Sequence, residues 1–144
     1  MKYFQLLVIA VFFIFSQASN AFPIPDDNEV SFDVIRKNKV IGNLTSKFIK
    51  DDEYIVLHSV LDINIKILFI PAYKFFQETK ETWRNGEFIS IDGFTDFEDD
   101  REYKIDGKDE DGVFRVTGMD GSLELDEKII PLNYWNKNIL DEKE

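Results

Sequence analysis

Few residue types in this chain could carry catalytic or metal chemistry, because it has one histidine and no cysteine. His58 lies in the middle of a β-rich run, which is typical of a strand residue with an ordinary hydrogen bond. A zinc site needs several His or Cys ligands, and the sequence has no Gly-x-Ser-x-Gly nucleophile motif. The sequence therefore predicts a protein that is not an enzyme, with no catalytic residue, metal or cofactor.

Acidic residues are the other chemical candidates, since 28 Asp and Glu residues oppose 17 Lys and Arg residues. We expect them to crowd two connections, formed by Asp92, Asp96, Glu98, Asp99 and Asp100 and by Asp106, Asp109, Glu110 and Asp111. An EF-hand calcium loop centred on Gly112 would place glycines where its first and last acids must stand. Solvated acidic turns are the favoured interpretation, and an irregular calcium site is the alternative.

The stretch ETWRNGEF sets an acid, a tryptophan and an Asn-Gly turn signal close together. As a two-residue turn, Asn85-Gly86 would put Trp83 on the opposite face from Ile91. As a three-residue loop with a glycine bulge, residues 84–86 put Trp83, Ile89 and Ile91 on one buried face and turn Phe88 outward. Burial of apolar side chains favours the three-residue loop.

In that register Glu81 points to the same side of the strand as Trp83. An inward carboxylate must be hydrogen-bonded, ion-paired or reached by water. One interpretation is a structural pair with an arginine or with backbone amides. The other is a polar spot in a binding cavity, whose candidate lining residues are Trp83, Glu81, Tyr73 and Tyr103.

The amino-terminal segment has the three-part pattern of a secretory signal peptide. Lys2 precedes an apolar run over residues 4–15, which is shorter than the roughly 20 residues that span a bilayer, and small residues follow. We expect cleavage after Ala21, which leaves one domain at residues 22–144 in the periplasm or outside the cell, with no membrane span. An uncleaved membrane anchor is the alternative.

Charge and composition restrict the partners of that domain. The formal net charge of −11 argues against nucleic acid, and against anionic lipid surfaces by simple electrostatics. Without cysteines, an exported protein of this size must be held together by packing rather than by disulfides. Its length is enough for one hydrophobic core.

Alternating apolar and polar residues predict β-strands along most of the domain. A loop at residues 37–39 places Val34 across from Gly42 and Phe32 across from Leu44, so that both apolar sets share one face. Residues 54–69 then form one long β-rich run, which we expect Pro71-Ala72 to end.

Two hairpins are predicted in the final third of the chain. A four-residue loop at residues 109–112 places Ile105 opposite Val116, and a two-residue turn at Asp120-Gly121 places Val116 opposite Leu125. Both registers give one inward set, namely Tyr103, Ile105, Phe114, Val116, Leu123 and Leu125.

The predicted fold is therefore all-β, an antiparallel meander of about eight strands that forms a barrel or a strongly curved half-barrel. Residues 131–140 carry the one helical pattern, and we expect a short C-terminal helix or cap there. In that prediction, Tyr134-Trp135 closes one end of the sheet.

Four sequence blocks resemble, in order, those of a family of uncharacterised exported proteobacterial β-rich proteins, a domain-of-unknown-function family. They are FDVIRKNKVIGN (32–43), ETWRNGEFISIDGFT (81–95), FRVTGMDGS (114–122) and IPLNYWN (130–136). The resemblance implies a small exported β protein and assigns no catalytic residue. Family members tend to have an Asn-Gly-type turn where this chain has residues 96–100.

Two functions are consistent with these observations. The first is an exported protein that binds a small apolar or amphipathic ligand in the concavity of the sheet. The alternative is a structural or interaction protein of the cell envelope with no ligand cavity. Its signature would be an exposed apolar patch or an open sheet edge.

Overall fold

The computed structural model describes residues 24–97, 101–125, 129–133 and 135–136. Its eight strands are β1 Glu29–Arg36, β2 Lys39–Asp51, β3 Tyr54–Ile67, β4 Ile70–Arg84, β5 Glu87–Phe97, β6 Arg101–Glu110, β7 Val113–Gly118 and β8 Gly121–Leu125. Each strand is antiparallel to the next, and they lie in one sheet in chain order. The prediction of an all-β meander of eight strands is confirmed.

Of the two predicted forms, a barrel or a strongly curved half-barrel, the closed barrel is wrong. Among the strands that the structure describes, β1 and β8 are the two edges of an open sheet. A barrel requires the first and last strands to pair with a consistent stagger. Alternation along single strands predicts faces and neighbouring pairs, but it does not determine whether the two outer strands meet.

The prediction of a C-terminal helix is wrong for the part of it that the structure describes. Residues 129–133 and 135–136 contain no helical turn, and Leu132, which a helix would have buried, is 92% exposed. This segment instead packs through Ile129, Ile130 and Trp135 against the sheet. Tyr134 and residues 137–140 lie outside the described residues.

The predicted signal peptide, with its cleavage point after Ala21, also lies outside the described residues. Within the described part of the chain, no helix is long and apolar enough to cross a membrane.

Two-residue turns join most of these strands. Both residues have positive φ at Lys37-Asn38, Leu68-Phe69, Asn85-Gly86 and Asp111-Gly112, the conformation of the turns that match the twist of a hairpin. The longer loops predicted at residues 37–39, 84–86 and 109–112 are therefore wrong. A register shift after the first turn still pairs Val34 with Gly42, as predicted.

The registers of the last two hairpins are wrong by two residues. Val116 lies opposite Gly107 instead of Ile105, and Phe114, rather than Val116, lies opposite Leu125. The last turn is Met119-Asp120. Since side chains alternate with a period of two, a slip of two residues leaves every side chain on its predicted face. The prediction that Ile105 and Leu123 are buried there is wrong, because both are exposed.

One end of the sheet, called the covered end below, holds the β2–β3, β4–β5 and β6–β7 turns. The buried hydrophobic side chains lie near it, on one face of the sheet, and are Phe48, Leu57, Trp83, Phe88 and Phe114. The ring of Trp135 crosses this face, with its centroid 5.5 Å from that of Trp83 and 5.4 Å from that of Phe48. The C-terminal segment therefore covers the core that the sheet alone would expose.

The opposite end carries a projecting hairpin. β2 pairs with β3 as far as Ile63, and β5 pairs with β4 from Phe75 onward, so residues 64–74 lie beyond the paired parts of both neighbours. We call these residues the arm. Pro71 does not end the strand as predicted, because it lies where β4 has a neighbour on one side alone and a missing N–H is tolerated.

Candidate functional site

The first candidate site is the buried carboxyl group of Glu81. Across the covered face, Glu81 lies between Leu57 on β3 and Ile91 on β5, in a row of otherwise apolar side chains. The residue is 4% exposed. The predicted inward orientation of this side chain is confirmed.

Glu81 is satisfied by its neighbour two positions along the same strand. The indole Nε1 of Trp83 donates a hydrogen bond of 3.0 Å to the Oε2 atom of Glu81. Of the two interpretations from the sequence, the structural one named an arginine or backbone amides as the partner, and the indole N–H takes that role instead. Residues i and i+2 share a face of a strand, so a tryptophan at this spacing can reach the carboxyl group directly.

Burial raises the pKa of Glu81 from 4.5 to about 7, and the hydrogen bond from Trp83 opposes part of this rise. Desolvation disfavours the charged carboxylate, whereas the N–H donor stabilises it. The group therefore exchanges its proton near neutral pH.

The turn beside this pair differs from the predicted one. Asn85-Gly86 is a two-residue turn, and a register shift between Thr82 and Trp83 leaves Ile89 without a direct partner. The bulge brings Phe88 and Ile91 to the same face. The prediction that Phe88 points outward is wrong, because its ring centroid lies 5.1 Å from that of Trp83.

Side chains fill the space next to this pair. Phe88 stacks on Phe114 at 5.1 Å, and Trp135 meets Trp83 edge-on. Gly107 lies beneath this stack, where an added Cβ would stand 2.7 Å from the ring of Phe114. The neighbourhood of Trp83 is thus packed as a protein core.

The two predicted tyrosines lie elsewhere on the sheet. Tyr103 closes an aromatic row with Phe97 and Phe75, with centroid spacings of 5.0 Å each. Beside it lies an open cleft of about 460 Å³ with apolar and charged lining. Tyr73 is on the arm, ten positions from Trp83 along β4, or about 33 Å at the usual rise of a strand. The structure therefore brings together Glu81 and Trp83 but not all four residues.

His58 lies on the other face of the sheet. Its Nε2 atom is 2.6 Å from the Oε1 atom of Glu78 on the neighbouring strand, and both side chains are partly exposed. The cleft beside them has a volume of about 480 Å³ and includes Asn43, Thr45 and Asp62. The prediction of a strand histidine with an ordinary hydrogen bond is confirmed.

Most of the acidic residues that were expected in two connections lie in strands instead. Asp92 and Asp96 belong to β5, and Asp106 and Asp109 belong to β6, with Glu98, Asp99 and Asp100 outside the described residues. The carboxylate of Asp109 accepts a hydrogen bond from the backbone N–H of Gly112, at 2.9 Å, and so stabilises the turn. Among the residues that the structure describes, no three acidic or histidine side chains are grouped to hold a metal ion.

The second candidate site is the tip of the arm, which sequence reasoning missed. Its four consecutive residues, Ile67, Leu68, Phe69 and Ile70, are all apolar and exposed. Phe69 is 97% exposed and Leu68 is 85% exposed. One signal in the sequence could have indicated it. Pro71 directly follows the apolar run, and a proline cannot donate to a neighbouring strand, so this part of β4 was not expected to have strands on both sides.

The turn at this tip also has unfavourable backbone angles for its residues. Leu68 has φ of 49° and Phe69 has φ of 72°, in the left-handed region that bulky side chains disfavour. Asn-Gly is the usual pair for such a turn, and the same sheet uses it at Asn85-Gly86. A strained conformation with exposed apolar side chains is a reason to look for a function there.

Comparison with known proteins identifies a family for this chain. A family model for a domain of unknown function, DUF6134, matches residues 32–144. Neither the curated proteins nor the solved structures contain a significant match. The predicted membership of a domain-of-unknown-function family is confirmed.

Proposed function

We propose that this chain, which belongs to the DUF6134 family, is an exported, non-enzymatic interaction protein of the cell envelope. It binds its partner through the apolar tip of the arm. The observation that carries the proposal is the run of four exposed apolar residues at that tip, Ile67 to Ile70.

Exposure of this kind is unusual on a soluble domain. Single exposed apolar residues are common, but contiguous apolar patches on a protein surface mark sites of association or insertion. An exposed apolar hairpin end also promotes aggregation. Its presence is easier to explain if a partner covers it. The tip is thus the part of the described surface best suited to bind another molecule.

The buried pair supports a structural rather than a binding role at the covered end. Trp83 is 2% exposed, and its indole N–H is already used by Glu81. A ligand would have to displace Trp135 and the C-terminal segment to reach the carboxyl group. We therefore assign Glu81 and Trp83 to the stability of the fold.

The amino-terminal pattern, an apolar run and small residues up to Ala21, supports export. A domain without cysteines that is held together by packing suits an oxidising compartment, because it has no thiol to oxidise. In this proposal residues 22–144 act outside the cytoplasm.

Cell fractionation tests the proposal with a matched pair of variants. The double substitution Leu68→Asn, Phe69→Gly removes the apolar tip and installs the pair found at the β4–β5 turn. Leu132→Asn is the control, since it removes an equally exposed apolar side chain elsewhere. We expect the wild type and the control to sediment with envelopes and the tip variant to become soluble. Mass spectrometry should show that each chain begins at Phe22.

Two results would contradict the proposal. One is a chain that retains residues 1–21 and stays in the cytoplasmic fraction. The other is a tip variant that associates with envelopes as strongly as the control.

Ligand binding at Tyr103 is a second candidate function, supported by the cleft beside that residue. Ile105 and Met119 give this cleft apolar lining, and Lys104 and Asp120 give it polar groups. A small amphipathic molecule would fit such a site. Native mass spectrometry of the purified protein should then show a bound molecule that Tyr103→Ala releases. A spectrum of the bare chain alone would contradict this candidate.

A further inference from the structure

We propose that the partner of the arm is a lipid bilayer, and that the tip inserts into the boundary between headgroups and acyl chains. The inference rests on the proposed function, because it assigns a partner class to the same surface. Four features of the arm carry it: its shape, its backbone pairing, its charge and the residues of its turn.

The shape of the arm suits insertion better than docking on a flat surface. Residues 64–74 lie beyond the parts of β2 and β5 that pair with the hairpin, and residues 66–74 are all exposed, so the tip stands out from the sheet. Its most exposed side chains, Leu68 and Phe69, stand at the extreme end of the hairpin. A convex apolar end can enter a soft interface without a preformed pocket.

The backbone of the arm limits how deeply the tip can insert. Ile67 pairs with Ile70, and Ile65 pairs with Tyr73, but each strand has one partner here, so the N–H and C=O groups on the two outer edges need water or headgroups. Unpaired backbone groups are excluded from the hydrocarbon region, but the turn itself can stay among hydrated headgroups. The arm is therefore suited to shallow insertion.

The charge of the arm is opposite in sign to that of the rest of the chain. No acidic residue occurs between Asp62 and Glu78, although the whole chain has 28. Within this interval Lys66 and Lys74 are both exposed, next to the tip. Lysines beside an inserted segment place their apolar stems along it and their ammonium groups at the phosphates, and Tyr73 is of the type enriched at this depth.

The negative net charge of the chain is compatible with binding of the arm to a bilayer. A formal charge of −11 repels an anionic surface on average, but the repulsion decays over about 10 Å at an ionic strength of about 0.1 M. The acidic remainder of the chain therefore orients the molecule so that the arm approaches first. The tip, and not the net charge, supplies the attraction.

The residues of the turn also support a lipid partner. Asn-Gly at positions 68 and 69 would relieve the positive φ angles of Leu68 and Phe69. The chain instead places two large apolar side chains where the backbone disfavours them. Insertion into lipid explains both the side chains and their position at the extreme end.

Flotation with vesicles is the direct test, using protein purified from cells that express the full gene. The vesicles contain phosphatidylethanolamine with phosphatidylglycerol. We expect the wild type and Leu132→Asn to float with them, and Leu68→Asn, Phe69→Gly to bind at least about tenfold more weakly, because two apolar side chains leave the membrane.

A tryptophan at the tip reports on depth. Phe69→Trp keeps the apolar character and adds an exposed indole to the two tryptophans already present, at positions 83 and 135. Its fluorescence should shift to shorter wavelength on mixing with vesicles and be quenched by brominated acyl chains. The wild type, treated in the same way, is the control for Trp83 and Trp135.

Three outcomes would overturn the inference. They are equal flotation of the wild type and the tip variant, an unquenched indole at position 69, and association of the chain with itself through the tip while vesicles are left unbound. Tip-dependent association with envelopes in cells, without any binding to pure lipid, would refute the lipid partner and leave the proposed function standing. Vesicle binding by a protein that cells never export would do the reverse.

Discussion

The Asn85-Gly86 and Leu68-Phe69 turns have the same length and the same left-handed backbone, but they contain opposite residue types. Asn85 and Gly86 adopt positive φ with little strain, and the N–H of Asn85 also donates to the carbonyl oxygen of Glu53 in the neighbouring turn, at 3.2 Å. Leu68 and Phe69 adopt the same angles against their preference.

The difference indicates that the two ends of the sheet serve different purposes. At the covered end, turn chemistry, bulge and core agree, which is how a sequence specifies one structure. In the arm, local preference and structure disagree, and such disagreement is expected at functional sites. The covered end stabilises the fold, and the arm presents a surface.

The largest expected effect is from the core of the covered end. Trp83→Ala should lower the free energy of unfolding by about 3 to 5 kcal/mol, because it leaves a cavity and removes the hydrogen-bond donor of Glu81. Phe69→Ala should change it by less than about 0.5 kcal/mol, since that ring is in solvent. Urea denaturation measures both, and similar values would remove the distinction between the two ends.

The next effect is the pH dependence from Glu81. Its pKa is about 7 in the folded protein and 4.5 for an unperturbed glutamate, so between these values the folded chain holds a proton that the unfolded chain has lost. The contribution of this group to stability is therefore greatest below pH 4.5 and is lost as the pH rises through 7, by on the order of 3 kcal/mol in total.

Urea denaturation from about pH 5 to pH 8 measures this slope. Glu81→Gln keeps an oxygen that can accept from Trp83 but removes the titration, so its stability should vary less with pH. Any slope that remains in the variant comes from other groups. Equal slopes in the two proteins would mean that Glu81 is ionised throughout this range.

Exchanging the turn sequences tests the comparison itself. Leu68→Asn with Phe69→Gly should raise stability by about 2 kcal/mol, because it relieves left-handed strain at two residues. Asn85→Leu with Gly86→Phe should lower stability by at least as much. The change in urea midpoint measures each, and a loss of stability in the first variant would show that Leu68 and Phe69 stabilise the fold.

The smallest effect compares two glycines on neighbouring strands. Gly107→Ala should destabilise by about 1 to 2 kcal/mol, because its Cβ would meet the ring of Phe114 and the side chain of Ile91. Gly118→Ala has open space around its Cβ and no positive φ, so it should leave stability unchanged or raise it slightly. Thermal unfolding measures the change in Tm for each variant. Equal changes would show that the core of the covered end can accommodate an added methyl group.

Sequence reasoning predicted the faces of the strands better than their exact partners. The period of two placed Glu81, Trp83, Phe114 and Val116 inward, and a register error of two residues did not alter that. The turn lengths at residues 37–39 and 84–86 were wrong because bulges add residues within the strands, and alternation cannot distinguish a bulge from a longer loop. This error placed Phe88 on the wrong face.

The barrel and the arm depend on relations between distant segments, which local patterns do not contain. Closure depends on whether β1 meets β8, and no pattern within either strand determines that. The arm reads as a buried strand because an apolar run looks the same whether neighbouring strands extend beside it or end early. For the site, sequence reasoning found the inward Glu81 but not its indole partner.

The meander order also has a kinetic consequence. Since each strand pairs with its neighbours in chain order, hairpin contacts join residues that are close in sequence, and such topologies fold quickly for a β protein. Amide hydrogen exchange should then be slowest in the middle of β3 and β4, which have partners on both sides, and fastest in the short edge strand β8. We therefore expect the sheet to unfold from its edges inward, with the covered end the last to lose its protection.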